Sequence, residues 1–425
     1  MSKKGTLSRR EFLKTASVAG AGAIVAGSAA RPAPTFAIRQ SQETVRVLHH
    51  TYKPLNDLHE RHLAEFMEAN PDIDVRYSTV PDTEYNAVLF PALQAGTAAD
   101  IVHGFGFALP AIAAAGYASP VPDEIAERVR TEFTPITYSG GLYQDTLYSV
   151  ADQIGVRMAM WNLDLLEQNG VSEVPQTWYE VLEMNAKVDR KQGDIYTQAG
   201  THLNWDPVVE WFPPLLWAHG ASLWNEDVTE ITLDEPGAVQ AAWLWQNCCH
   251  PELGYYGDAF VAGLVGLVST GSWFKGFVQE GNPDLRLLAT KMPSGPIAAP
   301  MGAAHQSWFV NAASPPEVQE AAWRVLEYFW MRPETQLDWL EVGFLPNNLA
   351  ALNDPLVQND EWLQPFADAL ATAELAYPGG CVGWQTVGDI LIEEVTRLSN
   401  WDITPEEFVR TMRERGNAAL AEQGC

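Results

Sequence analysis

At 425 residues the chain exceeds what one ordinary hydrophobic core holds, so two lobes or domains are expected. It is 47% hydrophobic and 19% charged, the composition of a globular protein rather than a disordered or collagen-like one. Acidic residues outnumber basic ones by 54 to 26, a formal charge of −28, which argues against binding nucleic acid or docking on anionic lipid.

The chain opens with Ser8-Arg9-Arg10-Glu11-Phe12-Leu13-Lys14, followed by an Ala- and Gly-rich apolar run from Ala16 to Ala30. A cationic start, an apolar stretch and small residues near a cut point describe an export signal, and the S-R-R-x-F-L-K setting resembles a twin-arginine (Tat) leader. The apolar run is about fifteen residues, short of the ~20 that span a membrane. Thr35-Phe36-Ala37 is a plausible cleavage point, giving a leader of 1–37 and a mature chain from Ile38. The leader carries six basic residues and one acidic residue, so its removal leaves −33. No Cys follows the apolar run to carry a lipid. The mature protein is expected to be soluble, monomeric and outside the cytoplasm, where disulfides are permitted.

In the mature chain Thr44 to Leu48 is a β-branched run suited to a first strand. Asn56 to Asn70 is predicted as an amphipathic helix stopped by Asn70-Pro71, and Ile73 to Tyr77 as an alternating strand. Strand, helix and strand in this span make a βαβ unit and imply a parallel sheet. A second helix is predicted from Asp82 to Ala95, then a short strand Asp100-Ile101-Val102. Leu147 to Trp161 reads as extended, Leu163 to Asn169 as helical up to the Gly170 stop, and Thr177-Trp178 as the start of another helix. From Trp205 to Trp245 the chain is dense in Trp and should be broken by Pro213-Pro214. Pro315-Pro316 and Pro333 each open a helix, the first running to about Arg332. Alternating α and β elements define an α/β class.

Cys248, Cys249, Cys381 and Cys425 have no C-x-x-C spacing, so a structural metal or iron–sulfur site is not expected. Cys381 with Cys248 or Cys249 is the disulfide to test, with free buried thiols as the alternative. His49-His50 and His59-x-x-His62 lack a third ligand in an identifiable frame and are expected to be solvated, with no metal and no cofactor bound. Neither a phosphate-binding G-x-x-x-x-G-K-[ST] loop nor a G-x-S-x-G elbow occurs.

The segment A-E-F-M-E-A-N-P-D-I-D-V-R (Ala64 to Arg76) resembles the helix–Pro–strand opening of family 1 extracellular solute-binding proteins, the receptors of ABC importers. Further similarities follow in the same chain order: Ala99 to Val102, Ala115 to Pro120, Met160 to Leu166, Pro175 to Trp178, Gly271-Ser272-Trp273, Lys291 to Pro296, Gly343-Phe-Leu-Pro346 and Thr404 to Glu407. Each is weak alone, but their shared order covers nearly the whole mature chain. The resemblance implies a type II, two-lobe periplasmic-binding-protein fold with a ligand cleft between lobes joined by crossing strands. On that pattern lobe I comprises 38–154 plus 303–348 and lobe II 155–302 plus 349–425, with Gly155 and Gly302 as hinges. It also implies a carbohydrate ligand, two membrane permease subunits and a cytoplasmic ATPase as partners, and no enzymatic activity.

A sugar presents a flat C–H face ringed by hydroxyls, so its receptor needs aromatic plates and a few fixed polar groups. By resemblance, Trp273 sits where the family stacks on a sugar ring and Trp384 where its maltose-binding branch places a second platform. Trp308, just past the return crossing, and Trp205 and Trp211, in the Trp-rich stretch, are further candidates. Polar candidates sit at strand ends: His50 and Tyr52 after the first strand, His103 and Phe105 after the third, Asp152 and Gln153 ahead of the first crossing, with Tyr85 and Asp206 weaker. Asp152 is expected to accept two sugar hydroxyls in charge-assisted bonds. Arg157, beside the crossing, is the residue that would serve an anionic solute such as glycerol phosphate, the main alternative. A secreted glycoside hydrolase, which uses two carboxylates, is the rival class.

Overall fold

The computed structural model describes residues 43–203, 208–233, 236–297 and 301–425; the leader, Trp205 and Asp206 lie outside them, as does the side chain of Trp211. Two five-stranded sheets organise the described chain. In the first, the spatial order is Ile73–Val80, Glu43–His50, Ile101–Phe105, Gln306–Val310 and Val150–Ala151. Glu43–His50 runs parallel to both its neighbours, and Gln306–Val310 returns antiparallel from late in the chain. The predicted βαβ unit is therefore present, and its third strand runs three residues past Val102.

Local chemistry explains the element limits. In Glu43–His50, Val45 and Val47 are fully buried while Arg46 between them faces solvent, the period-2 pattern of a half-buried strand. The connecting helix Lys53–Ala69 begins earlier than Asn56 because Pro54 fits its first turn, and it buries Leu55, Leu58, Leu63 and Phe66 on one face. In Trp178–Val188, Thr177 and Glu180 form a reciprocal capping box. The expected break at Pro213-Pro214 does not occur: both lie inside the helix Val208–Ala218. Phe212, Leu215 and Leu216 of that helix are buried in the core, so packing outweighs the lost backbone bonds.

The second sheet runs Leu287–Thr290, Met158–Asn162, Val265–Thr270, Ile195–Thr201 and Arg190–Gln192. A third, of three short strands, links the two halves: Gly302–Ala304 pairs antiparallel with Gly155–Val156 and parallel with Glu374–Leu375. Gly155 and Gly302 thus both sit on crossing strands. One core packs Trp308, Phe329, Trp330 and Trp339 behind the first sheet, and another packs Trp161, Trp178, Trp245 and Trp384 behind the second.

Cys381 bonds Cys425, not Cys248 or Cys249, which are free, buried thiols. The reason is placement. Cys248 and Cys249 end a core helix, whereas Cys381 precedes the helix Trp384–Ser399, and the Gly424 carbonyl accepts the Gly383 amide. This bond closes a 44-residue separation. Opening such a loop lowers stability by about 4 kcal/mol on the chain-entropy treatment. Cys425→Ser should lower the urea midpoint accordingly, and a reductant should lower the wild-type midpoint but leave the variant's unchanged.

Candidate functional site

The ends of strands from both sheets converge on a pocket of about 290 Å³ lined by His50, Tyr52, Gln153, Gly155, Arg157, Trp273, His305, Gln306 and Phe344, among others. Each arrives for a stated reason. His50 ends the first strand, Gln153 to Arg157 lie on the outgoing crossing, and His305 and Gln306 join the return crossing to the first sheet. Trp273 precedes the helix Phe274–Gly281.

Two glycines seat the Trp273 indole and a third backs its main chain. A Cβ at Gly155 would stand 2.9 Å from its Cζ3, one at Gly271 would stand 1.9 Å from the same atom, and one at Gly343 would stand 2.9 Å from its Cα. Gly343 also has φ +79°, a left-handed conformation that favours glycine. Phe344 stacks on the indole with ring centroids 5.4 Å apart, and the Arg157 guanidinium carbon lies 4.8 Å from its centroid. A ligand that reaches this indole therefore meets a guanidinium at the same point.

Two larger cavities adjoin the pocket. One, of about 630 Å³, shares Tyr52 and Trp273 and adds Tyr255, Tyr256, Phe277 and Trp362. The other, of about 540 Å³, shares Arg157 and is walled by Trp178, Leu215, Trp245, Ile297 and Met301.

Of the candidates from sequence, His50, Tyr52, Gln153 and Trp273 line this pocket, as does Arg157. Several others do not. Asp152 is 1% exposed and turned inward: it accepts from His103 Nε2 (2.9 Å), Trp308 Nε1 (2.7 Å) and the Gln153 amide (2.6 Å), so it has no free face for sugar hydroxyls. Burial alone would raise its pKa, but His103 and the Gln153 amide hold it below the usual carboxylate range. Trp308 is fully buried beneath the pocket, positioning Asp152, and lines none of these cavities. Trp384 is buried in the other core against Trp224, because the helix it opens turns its first residue inward. Phe105 stacks on Phe107 and lines none of these cavities. His103 and Tyr85 are buried, with the Tyr85 hydroxyl donating to the His103 carbonyl. The expectation of solvated histidines is overturned: His49, His59 and His62 are at most 1% exposed and His50 is 9% exposed. The helix face carrying His59 and His62 packs on the first sheet and on Asp338, whose carboxylate meets His62 Nε2 at 2.8 Å.

Sequence reasoning missed His305, Gln306 and Phe344. Phe344 lies within the quoted Gly343–Pro346 segment, and His305 follows Gly302 by three residues. His305 fits only because two neighbours lack side chains: a Cβ at Gly106 or Gly140 would come within 2.0 Å of its ring.

Residues 62–365 match the bacterial extracellular solute-binding protein family, and the chain belongs to that family. It is 24% identical over 327 residues to the maltotriose-binding protein of Pyrococcus abyssi, covering 73% of this chain and 68% of that one. Among solved structures, an ABC transporter solute-binding protein of Thermotoga lettingae bound with alpha-D-tagatose superposes with TM-score 0.77 at 18% identity, over 89% of this chain and 100% of that one. The GacH receptor of Streptomyces glaucescens, studied with acarbose, gives 0.77 at 20% identity over 90% and 98%. Maltose-bound MalE3 of T. maritima gives 0.77 at 19% over 88% and 99%. These structures share the two-lobe fold.

Burial lowers the His305 pKa to about 4 and that of His250 to about 3. The unfolded chain takes up these protons below about 6.5 and the folded chain does not, so stability is full above that pH and falls as pH drops toward 4. Each group contributes a slope of up to about 1.4 kcal/mol per pH unit. The urea midpoint should be lower at pH 5 than at pH 7, and His305→Gln should narrow the difference; equal midpoints would contradict the assignment.

Proposed function

We propose that this protein is the exported substrate receptor of an ABC importer and captures a carbohydrate in the 290 Å³ pocket, between lobes 38–154 plus 303–348 and 155–302 plus 349–425. Gly155 and Gly302 on the crossing strands serve as its hinges. The observation that carries this reading is an indole seated against Gly155 and Gly271 beside a ring of hydrogen-bonding groups, namely Tyr52, His50, Gln153 and Gln306. An apolar plate with polar groups at its rim matches the two faces of a sugar ring. The maltotriose-binding relative supports the same class. Permease subunits and an ATPase complete the importer. The 630 Å³ cavity beyond Tyr52 and Trp273 offers room for more than one ring. A hydrolase would need two facing carboxylates, and among the described residues none lines the 290 Å³ pocket.

Arg157 favours a second reading, an anionic solute such as a glycerol phosphate. A thermal-shift screen of residues 38–425 against malto-oligosaccharides, other saccharides and polyol phosphates separates the two. Ligand at ~100 times its dissociation constant adds about 2.7 kcal/mol to folding. The expected result is a shift with a neutral saccharide recovered unchanged; a shift only with phosphates moves the proposal to the second reading. Trp273→Ala should weaken saccharide binding by about 2 kcal/mol, some thirtyfold, and unchanged affinity would remove Trp273 from the site.

Export is proposed to follow the twin-arginine route. Among the described residues no helix is long and apolar enough to cross a membrane. Arg9→Lys with Arg10→Lys should leave the precursor inside the cell, and the exported wild type should begin at Ile38.

A further inference from the structure

Four of the nine histidines gather beneath the floor of the pocket, and the carbohydrate reading uses only one of them. His49 packs against both His50 and His103, with ring centroids 4.2 and 4.1 Å away and those two 5.3 Å from each other, and His59 meets its edge at 5.0 Å. One ring nitrogen from each of His49, His50 and His103 lies within 4.8 Å of those from the other two. Three imidazoles thus bring a ring nitrogen each into one small volume, two of them withdrawn from water and the third, His50, at the pocket wall.

Proton placement follows from the neighbours. His49 Nδ1 is 2.6 Å from the His50 carbonyl oxygen, so it carries the proton and donates. The Asn56 amide is 3.0 Å from that nitrogen, but its two protons have acceptors in the His50 carbonyl (3.1 Å) and the Tyr77 hydroxyl (2.9 Å). His49 Nε2 is left with a lone pair. Both His49 Nε2 and His103 Nε2 lie 3.4 Å from the Gln153 amide nitrogen, which marks the point the two rings face. The Asp152 carboxylate, 2.9 Å from His103 Nε2, supplies negative charge beside the same point and is itself held by Trp308.

We infer that His49, His50 and His103 form a binding site for one divalent transition-metal ion of the zinc class, at the position the Gln153 amide now occupies. Imidazole donors suit zinc, copper or nickel and not the hard ions calcium and magnesium. Nitrogen–zinc bonds of ~2.0–2.1 Å place two ligands of a tetrahedral ion about 3.4 Å apart, so the cluster needs a contraction of at most about 1.4 Å. His103 then holds its proton on Nδ1, and Asp152 offsets the ion's charge. Gln153 and His50 both line the pocket, so displacing the Gln153 side chain opens a route from solvent and leaves the fourth coordination position facing the ligand cavity. The ion site stands independently of which solute the cleft carries.

The test uses residues 38–425 without a histidine tag, stripped with a chelator and then titrated with Zn²⁺ against a chromogenic competitor in the absence of any sugar. The expected result is one equivalent bound at micromolar affinity or tighter, and, with Co²⁺ in its place, the intense visible bands of a four-coordinate ion. His50→Gln and His103→Gln should each weaken Zn²⁺ binding at least tenfold. His103 is buried and its variant is checked by thermal melting. His50, at the pocket wall, carries the test alone if the His103 variant fails to fold. Absence of stoichiometric binding in the wild type, or wild-type affinity in a folded His50→Gln, would overturn the assignment. Sugar binding is measured separately in chelator, so loss of the metal site and loss of the carbohydrate reading are distinguishable.

Discussion

The rest of the site depends on one short antiparallel contact, Gly155–Val156 against Ala303–Ala304. It is where the chain leaves the first sheet and where it comes back. Because the two crossings are hydrogen-bonded neighbours, Gln153 and Arg157 on one flank face His305 and Gln306 on the other. The contact also has a steric condition. A Cβ at residue 155 would stand 2.9 Å from the Trp273 ring, so a side chain there would force the plate or the crossing strand to shift. The segment at Asn347–Asn348 is tied to the same place: the Asn347 side chain donates to the carbonyls of Ala151 and Asp152, and Gln336 Oε1 accepts both the Asn347 and Asn348 amides.

Beneath this contact the interior is unusually polar. Asp152 takes three hydrogen bonds, from an imidazole, an indole and a backbone amide, which is what permits a carboxylate to stay ionised at 1% exposure. It holds His103 and Trp308 in place rather than meeting solvent. Trp308 and Trp273 show the two uses of the same side chain. One spends its N–H on a buried acid and its rings on the core, and the other presents a half-buried face to a cavity.

Much of the architecture was legible because it is local. The βαβ opening follows from a β-branched run, an amphipathic helix and an alternating strand, although the helix starts at Lys53, with Pro54 in its first turn, and not at Asn56. Thr177 and Glu180 announce a helix start by spacing alone. The misreadings are non-local. Pro213 and Pro214 lie inside a helix because a core surrounds Phe212, Leu215 and Leu216, and Cys381 meets Cys425 because the last helix returns beside the one that Trp384 opens. His59 and His62 looked solvated because their i, i+3 spacing shows a shared face and not what that face packs against.

The same distinction runs through the pocket. Sequence by itself determined the α/β class and the order of the opening elements, and it pointed to His50, Tyr52, Gln153 and Arg157 because strand ends and crossing points are positions along a chain; Trp273 came from the family resemblance. Only the tertiary structure decided that Trp273, among the described residues, is the tryptophan lining the 290 Å³ pocket. Trp308 lies within a strand and is sealed in by Asp152 and His103, whereas Trp273 and Trp384, both at helix starts, differ in burial because of what arrives from far along the chain: Gly155 and Phe344 beside the first, Trp224 beside the second. Side-chain direction at an element's end is set by packing across the lobe, and no local pattern encodes it.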